Sequence, residues 1–214
     1  MKHLFLIIII FAGMVSCTKY NTIDTGVANP HFDGDMYEYL KSNTYDWDSI
    51  RVMVDRAGME NYFRTETFTF LGPTNHTIRR WLLANGGGAA NPCKISDLTV
   101  ANCQEFVKMH IIAGKKILRD DVQRGAVNGA VPTGGRFEQT LSGKEFFMWT
   151  SKEAYQNIEN AGAVHMMVQE GNSASSTVSR TSVWIQSGDI QPSNGVVQAL
   201  TYSYVPNITL VKNP

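Results

Sequence analysis

The side chains that most often perform catalysis or bind metals are scattered through this sequence. His31, His76, His110 and His165 stand far apart and do not show the spacing of metal ligands. The sequence contains no Gly-x-Ser-x-Gly elbow, no His-Glu-x-x-His pair and no cysteine–histidine nucleophile signature. We therefore expect neither a metal site nor a cofactor.

Two pairs of neighbouring carboxylates are the remaining candidates for acid–base chemistry. Asp46 and Asp48 form one pair, and Asp120 and Asp121 form the other. Hydrolysis of a glycosidic bond needs two carboxyl groups that face each other across a cleft, and nothing in the sequence pairs these residues in that way. Solvated helix ends are the expected location for both pairs. A hydrolase is therefore only a remote alternative, and the sequence predicts a protein that is not an enzyme.

The N-terminus predicts export and lipid attachment. Lys2 precedes a nine-residue apolar run at residues 4–12, which is shorter than the roughly 20 residues that span a bilayer and is typical of a secretory signal. Cys17 follows small residues and resembles the acylated cysteine of a bacterial lipoprotein, although Met14 stands where Leu is usual. The alternative is an ordinary signal with Cys17 as an incidental thiol. Thr18, in place of Asp, favours the outer membrane.

Composition and charge narrow the class of partner. Removing residues 1–16 as a signal peptide takes away only Lys2 among the charged residues, which leaves 18 basic and 19 acidic side chains. Since no basic stripe is visible, nucleic acid is excluded as an expected partner. The apolar content of 43% is ample for one folded core. We expect one domain, attached to the membrane only through the lipid on Cys17.

Cys93 and Cys103 are the other two cysteines, and they are ten residues apart. In an exported protein they can form a disulfide, which would stabilise the fold by roughly 2–3 kcal/mol for so short a loop. The alternative is two separate reduced thiols, with Cys103 on the apolar face of a helix. The sequence predicts the disulfide and leaves the alternative open.

The pattern along the chain predicts helices first and strands later. Residues 17–35 show no periodicity and are interpreted as a flexible tether. Trp47, Ile50 and Val54 recur at helical spacing before Gly58, and a second helix is predicted over residues 99–111. Strands are predicted in the second half of the chain, at residues 136–141, 145–150, 163–169, 181–186 and 196–205. This order indicates an α+β fold.

Two separated segments carry the most specific signal. Residues 67–75 read TFTFLGPTN: alternating Thr and Phe predict a strand, and Thr74 is placed to cap a following helix. Residues 187–197 read SGDIQPSNGVV, which predicts a loop at 189–195 in which Asn194 and Gly195 supply a positive φ before the last strand.

In this order, the two segments resemble the signature segments of fasciclin-like domains. The resemblance spans residues 36–206 and includes the helix that ends in VKMHIIAG at residue 114 and the segment QTLSG at residues 139–143. It implies an α+β wedge with sandwich-like sheets of about seven strands, against which N-terminal and mid-domain helices pack. It also implies an extracellular adhesion and binding module. Residues 207–214 are left as a C-terminal tail.

The resemblance also points to individual residues. His110 matches a family histidine with two alternative roles, as part of an adhesion surface or as a half-buried structural residue. Asp189 and Ile190 match an Asp-Ile pair that some animal members use as an integrin contact, and the alternative is a carboxylate that caps a turn. Gln198 stands where the family usually has histidine, so any role of that histidine is in doubt.

The expected function is a membrane-anchored, extracytoplasmic adhesion module at the cell envelope that recognises a protein or a glycan. The expected contact surface is the three loops at residues 84–95, 122–135 and 170–180. The alternative is a scaffold or accessory lipoprotein of an outer-membrane polysaccharide-capture system. Exposed aromatic residues on one face would favour a glycan, whereas a broad apolar patch would favour a protein.

Overall fold

The computed structural model describes residues 29–178 and 182–213. Five α-helices occupy the first half of this part of the chain. They are α1 (Met36–Ser42), α2 (Thr44–Arg56), α3 (Glu60–Thr65), α4 (Asn75–Asn85) and α5 (Val100–Met109). The signal peptide at 1–16, Cys17 and most of the expected tether lie outside the described residues. Within the described residues, no helix is long and apolar enough to cross a membrane.

The strands form one large sheet and one hairpin. The large sheet has the order β3-β2-β11-β10-β8-β7-β6, with β1 beside β10 and β9 beside β8, and β4 and β5 form the hairpin. Their bounds are β1 (His31–Phe32), β2 (Phe68–Gly72), β3 (Ile111–Ala113), β4 (Gly125–Asn128), β5 (Val131–Gly134), β6 (Arg136–Gln139), β7 (Glu145–Lys152), β8 (Val164–Asn172), β9 (Thr177–Val178), β10 (Val183–Pro192) and β11 (Gly195–Leu200). The α+β class is confirmed, and the main path has the seven strands expected.

Helix α2 shows how the predicted spacing of apolar residues gives a helix with one buried side. Its apolar positions, including Trp47 and Ile50, are buried on one side. The side chain of Asn43 accepts a hydrogen bond from the backbone N–H of Asp46 at the N-terminus. Gly58 follows the helix with a φ of 67°, a conformation that glycine adopts without a steric cost. The predicted end of this helix is therefore correct.

The first half of the chain packs its helices on one face of β2 and β11. Phe63 of α3 contacts both Phe68 and Phe70 of β2, with ring centroids 5.0 and 5.4 Å apart. Trp47 of α2 lies directly over Gly72, where an added Cβ atom would come within 2.8 Å of the indole ring. A glycine is therefore needed at the end of β2 for the helix to approach the sheet.

The domain is longer than residues 36–206. At its start, His31 and Phe32 pair in parallel with Gln191 and Pro192, so the end of the expected tether is part of the sheet. At its end, the indole N–H of Trp81 donates to the carbonyl of Ile208, which is buried. Residues 207–213 are therefore not a free tail, because they cover the helical side of the core.

The loop expected at residues 189–195 is mostly strand. β10 continues to Pro192, and β11 begins at Gly195. Neither Asn194 nor Gly195 has a positive φ, so that prediction is wrong, and Asp189 takes the left-handed conformation instead, with φ 59°. Asn194 acts through its side chain. Its oxygen accepts from the N–H of Met36, and its amide nitrogen donates to the carbonyls of Phe63 and Glu66.

Candidate functional site

His110 lies in the core of the protein. It caps the C-terminus of α5, is fully buried, and its Nδ1 lies 2.7 Å from the carbonyl oxygen of Phe106. Because a carbonyl only accepts, Nδ1 carries the proton. Burial lowers the pKa of His110 to about 4, so the ring is neutral at pH 7. Of the two roles considered for His110, this position fits that of a structural residue. The buried ring is inaccessible to a partner.

Asp189 caps a turn and does not point freely into solvent. Its Oδ1 accepts from the backbone N–H of Arg119 at 2.8 Å and from the side-chain amide of Gln198 at 2.9 Å. Gln198 also accepts from the N–H of Asp189 and donates to the carbonyl of Ile117. The fully buried Gln198 thus holds β10 to the segment before β4. The structure again favours the structural role for Asp189.

Cys93 and Cys103 are both buried, and both are free thiols. The disulfide expected from their spacing is not formed in the structure. Cys93 packs against Gly86 after α4, whereas Cys103 lies on the buried face of α5 near Arg56. Burial raises the pKa of both thiols, so neither is an activated nucleophile at neutral pH. The alternative of two separate reduced thiols describes the structure.

The feature most suited to binding is a pocket of about 350 Å³ at the junction of the helices and the β10–β11 hairpin. We call it the aromatic pocket. Its wall includes Tyr39, Trp47, Thr74, His76, Gln186 and Tyr202. These residues come from α1, α2, the start of α4, β10 and the segment after β11. Ile190 also lines the pocket, so this member of the predicted Asp-Ile pair contributes to the site.

Polar groups line the aromatic pocket beside the rings. Gln186 lies in the wall and is exposed, whereas the indole nitrogen of Trp47 and the hydroxyl of Thr74 are buried atoms. Thr74 occupies the predicted N-cap position of α4, but its side chain makes no capping hydrogen bond. Asp46 also lines the pocket and accepts from the side-chain amide of Asn43 at 2.8 Å. With the amide of Gln186, which both donates and accepts, and the carboxylate of Asp46, the wall offers donors and acceptors to a ligand.

Exposed aromatic rings flank the aromatic pocket. The exposed fractions of Tyr45, Tyr202 and Trp184 are 77%, 63% and 41%. Tyr45 meets His76 of the pocket wall edge to face, with ring centroids 6.5 Å apart. The N–H of Thr201, beside Tyr202, donates to the carbonyl of Trp184, so these two aromatic positions are adjacent. The ring of Trp184 packs on His165 of β8, with ring centroids 4.6 Å apart, so the exposed rings at the pocket itself are Tyr45 and Tyr202.

The ionisable groups that line the aromatic pocket include Asp46 and His76. Among the described residues, no group of three His, Cys, Asp or Glu side chains could hold a metal ion. His76, the titratable ring in the pocket wall, is exposed and is paired with Tyr45 rather than with a nucleophile. The arrangement of large rings with a few polar groups suits the binding of a ligand.

The architecture has a counterpart among solved structures. The chain is similar to the FAS1 domain pair of the insect cell adhesion molecule fasciclin I, with 12% sequence identity and a TM-score of 0.50. The similarity covers 78% of this chain and 49% of that chain. The chain has a fasciclin-like fold. It spans about half the length of the fasciclin I structure, which is a pair of domains. No protein-family model and no curated protein matches the sequence.

The two signature segments have clear positions in the fasciclin-like fold. Thr74 and Ile190 lie in the wall of the aromatic pocket, and Asn194 joins α1 and α3 to the sheet. The three loops expected to form the contact surface are not where this pocket lies. Residues 125–134, within one of them, form the β4–β5 hairpin, and residues 179–181 lie outside the described part of the chain.

Sequence reasoning missed the aromatic residues of the site. Trp184 stands between Val183, which is buried, and Ile185, so strict alternation along a strand predicts that it points outward. That signal was present in the sequence. Tyr39, Tyr45 and Tyr202 carried no comparable signal, because they lie in separate elements that meet only in the folded protein.

Proposed function

We propose that this protein is an extracytoplasmic binding module of the adhesion type that is anchored through a lipid on Cys17 and recognises a glycan in the aromatic pocket. The observation that carries this proposal is the presence of two exposed aromatic rings at one pocket: Tyr202 lies in its wall, and Tyr45 packs against His76 of the wall. The adhesion role of fasciclin I, whose domains have the same fold, supports the general class of function.

The chemistry of a sugar suits this surface. The C–H faces of a pyranose ring are apolar and stack on exposed aromatic rings, which combine an apolar body with a polar edge. Sugar hydroxyls both donate and accept hydrogen bonds. The amide of Gln186 and the carboxylate of Asp46 provide complementary groups in the pocket wall. Asp46 also favours a neutral glycan over an acidic one, because like charges repel.

The same proposal places the protein at the cell envelope, in the outer membrane if Thr18 governs sorting. Each buried lipid methylene contributes about 0.8 kcal/mol, so two or more acyl chains on Cys17 would hold the domain at the membrane. The role as a scaffold or accessory lipoprotein of a polysaccharide-capture system is the alternative, and catalysis has no part in either function.

A glycan array tests the proposal. The full-length chain would carry Cys17→Ser to prevent acylation. We expect binding to a defined set of glycans, and we expect Tyr202→Ala or Tyr45→Ala to weaken it by about fivefold or more, because each stacked ring contributes about 1 kcal/mol or more. Tyr155→Ala is the matched control, since Tyr155 is 59% exposed and does not line the pocket.

Two results would contradict the proposal. One is the absence of glycan binding together with recovery of a stoichiometric lipoprotein partner from the intact envelope, which would favour the scaffold function. The other is glycan binding that Tyr155→Ala weakens as much as Tyr202→Ala does, which would place the ligand away from the aromatic pocket.

A further inference from the structure

Strands β8 and β10 begin as an antiparallel pair and then separate. They are paired at Val183 with Val168 and at Trp184 with Met167, and not beyond. Beyond this pair, the edge of β10 at residues 185–190 faces the edge of β8 at residues 164–166. In the described part of the chain, no strand pairs with either of these two edges. Their opposite edges are paired with β11 and β7. We call the space between the two unpaired edges the strand gap.

The strand gap is open to solvent and has room for a ligand. A pocket of about 200 Å³ lies here, and residues of both edges line it together with Arg119, Asp189 and Gln198: Val164, His165 and Met166 from β8, and Ile185, Gln186 and Gly188 from β10. Residues 186–188 are exposed although they lie in the middle of a ten-residue strand. A ligand in the gap therefore reaches the backbone of both strands.

Hydrogen bonds of Asp189 hold the gap in its shape. The pairing of β10 with β11 shifts register between Ile185 and Ser187 and again between Ser187 and Ile190. Asp189 lies within the second shift, and its left-handed φ is uncommon for a residue with a side chain. Its bonds to Gln198 and to the N–H of Arg119 stabilise that conformation. The separation of the strands is therefore a feature of the fold rather than fraying.

The same edge of β10 already accepts an extended segment at one end. His31 and Phe32 pair with Gln191 and Pro192 in parallel, and the N–H of Gln191 donates to the carbonyl of Pro30 at 2.7 Å. Exposed edges that avoid association usually carry lysine or proline. Residues 185–190 contain neither, and their one charged side chain, Asp189, is bonded within the protein.

We propose that the strand gap binds an extended polypeptide segment of a partner protein, which adds as a strand between β8 and β10. An extended peptide carries backbone N–H and C=O groups along both of its edges. It can therefore form hydrogen bonds with the unpaired edges of both β8 and β10. At about 3.3 Å per residue, residues 185–188, which precede the left-handed Asp189, offer an edge of about 13 Å, which matches a peptide of about four residues.

Arg119 can bind an acidic residue of the peptide, since the other charged group that lines the pocket, Asp189, is already bonded to Gln198 and to the N–H of Arg119. Arg119 lines the pocket with 47% of its side chain exposed, and its ion pair is a loose contact of 3.7 Å with the exposed Asp120. A carboxylate on the peptide would gain a charge-assisted hydrogen bond with this guanidinium. This site is distinct in ligand class from the aromatic pocket, although Gln186 lines both.

Peptide selection followed by amide exchange tests the proposal. Random peptides of about 12 residues, displayed on phage, would be selected on the full-length chain with Cys17→Ser, and the best binder would be synthesised. We expect saturating peptide to slow exchange of the amides at residues 164–166 and 185–188 by about tenfold or more. N-methylation of alternate amides in the same peptide should weaken binding by about tenfold, because those amides can no longer pair.

Charge variants provide a second readout. Arg119→Glu should weaken the selected peptide by about fivefold or more, whereas Arg124→Glu, an exposed arginine that does not line the gap, should change affinity by less than about twofold. The proposal is overturned if no peptide is selected, if the selected peptide protects amides elsewhere, or if the gap amides are already protected in the free chain. Tyr202→Ala should leave peptide binding unchanged, so this result is independent of the glycan test.

Discussion

Acid should destabilise this protein through His110. The ring is fully buried and neutral, and burial lowers its pKa from an ordinary value of 6.5 to about 4. In the unfolded chain the same imidazole binds a proton below pH 6.5. Because the folded pKa is the lower one, the contribution of the neutral ring is fully present above pH 6.5. It is lost as the pH falls towards 4.

The size of the loss follows from the two pKa values. Each pKa unit corresponds to about 1.4 kcal/mol, so His110 alone should lower the free energy of unfolding by about 2 kcal/mol at pH 5 and by about 3 kcal/mol at pH 4, relative to pH 7. The hydrogen bond to the carbonyl of Phe106 opposes this shift, and Lys144 adds to it through charge repulsion.

Urea unfolding at several pH values between 7 and 4 measures the effect. His110→Gln keeps a donor for the carbonyl of Phe106 but cannot titrate, so its stability should fall less steeply than that of the unmodified protein. His76→Gln is the matched control, because His76 is exposed. An NMR titration of the unmodified protein gives the pKa of His110 directly, which keeps the prediction testable if the variant folds poorly.

The reasoning is refuted if His110 titrates near 6.5 in the folded protein, or if the unmodified protein and His110→Gln lose stability in parallel as the pH falls. Other groups also titrate in this range, but they contribute equally to both proteins and cancel in the difference.

Three further predictions concern the framework. Asn194→Ala should lower the free energy of unfolding by about 2–3 kcal/mol in urea, because it leaves a partly buried junction without three hydrogen bonds, whereas Asn61→Ala, on an exposed helix face, should cost less than about 0.5 kcal/mol. A chain that ends at residue 207 should show a markedly lower midpoint of thermal unfolding, since Trp81 would lose both its acceptor and the buried Ile208; an unchanged midpoint would refute the structural role of this segment. With Cys17 replaced by Ser, two thiols should react with an aromatic disulfide reagent in urea and neither should react rapidly in buffer; a protein without reactive thiols in urea would show that the disulfide forms after all.

Much of the helical half was predictable because its signals are local. The apolar spacing of Trp47, Ile50 and Val54 and the following Gly58 predict both the face and the end of α2. Residues 67–75 predict β2 and the start of α4 in the same way. The end of α5 was placed two residues too late, because His110 and Ile111 continue the apolar pattern although the chain leaves the helix at Met109.

The region after β7 was harder to predict from sequence. The segment at 187–195 contains Gly, Asp, Pro, Ser and Asn, which together are typical of a loop. Most of it is strand, because pairing with β11 and the buried Gln198 overrides these local preferences. Similarly, residues 207–213 have no strong periodicity. They pack on the helices through the hydrogen bond that the indole N–H of Trp81, far away in the sequence, donates to the carbonyl of Ile208.

The sequence by itself determined the order of elements, the α+β class and the resemblance to fasciclin-like domains, because these depend on patterns within short segments. The tertiary structure alone decided where a ligand can bind. The aromatic pocket joins Tyr39, Thr74 and Tyr202, and the strand gap joins β8 to β10, across intervals that no local pattern spans. Such sites arise from long-range packing and pairing, and the free energy that fixes them comes from contacts that form only when the whole chain has folded.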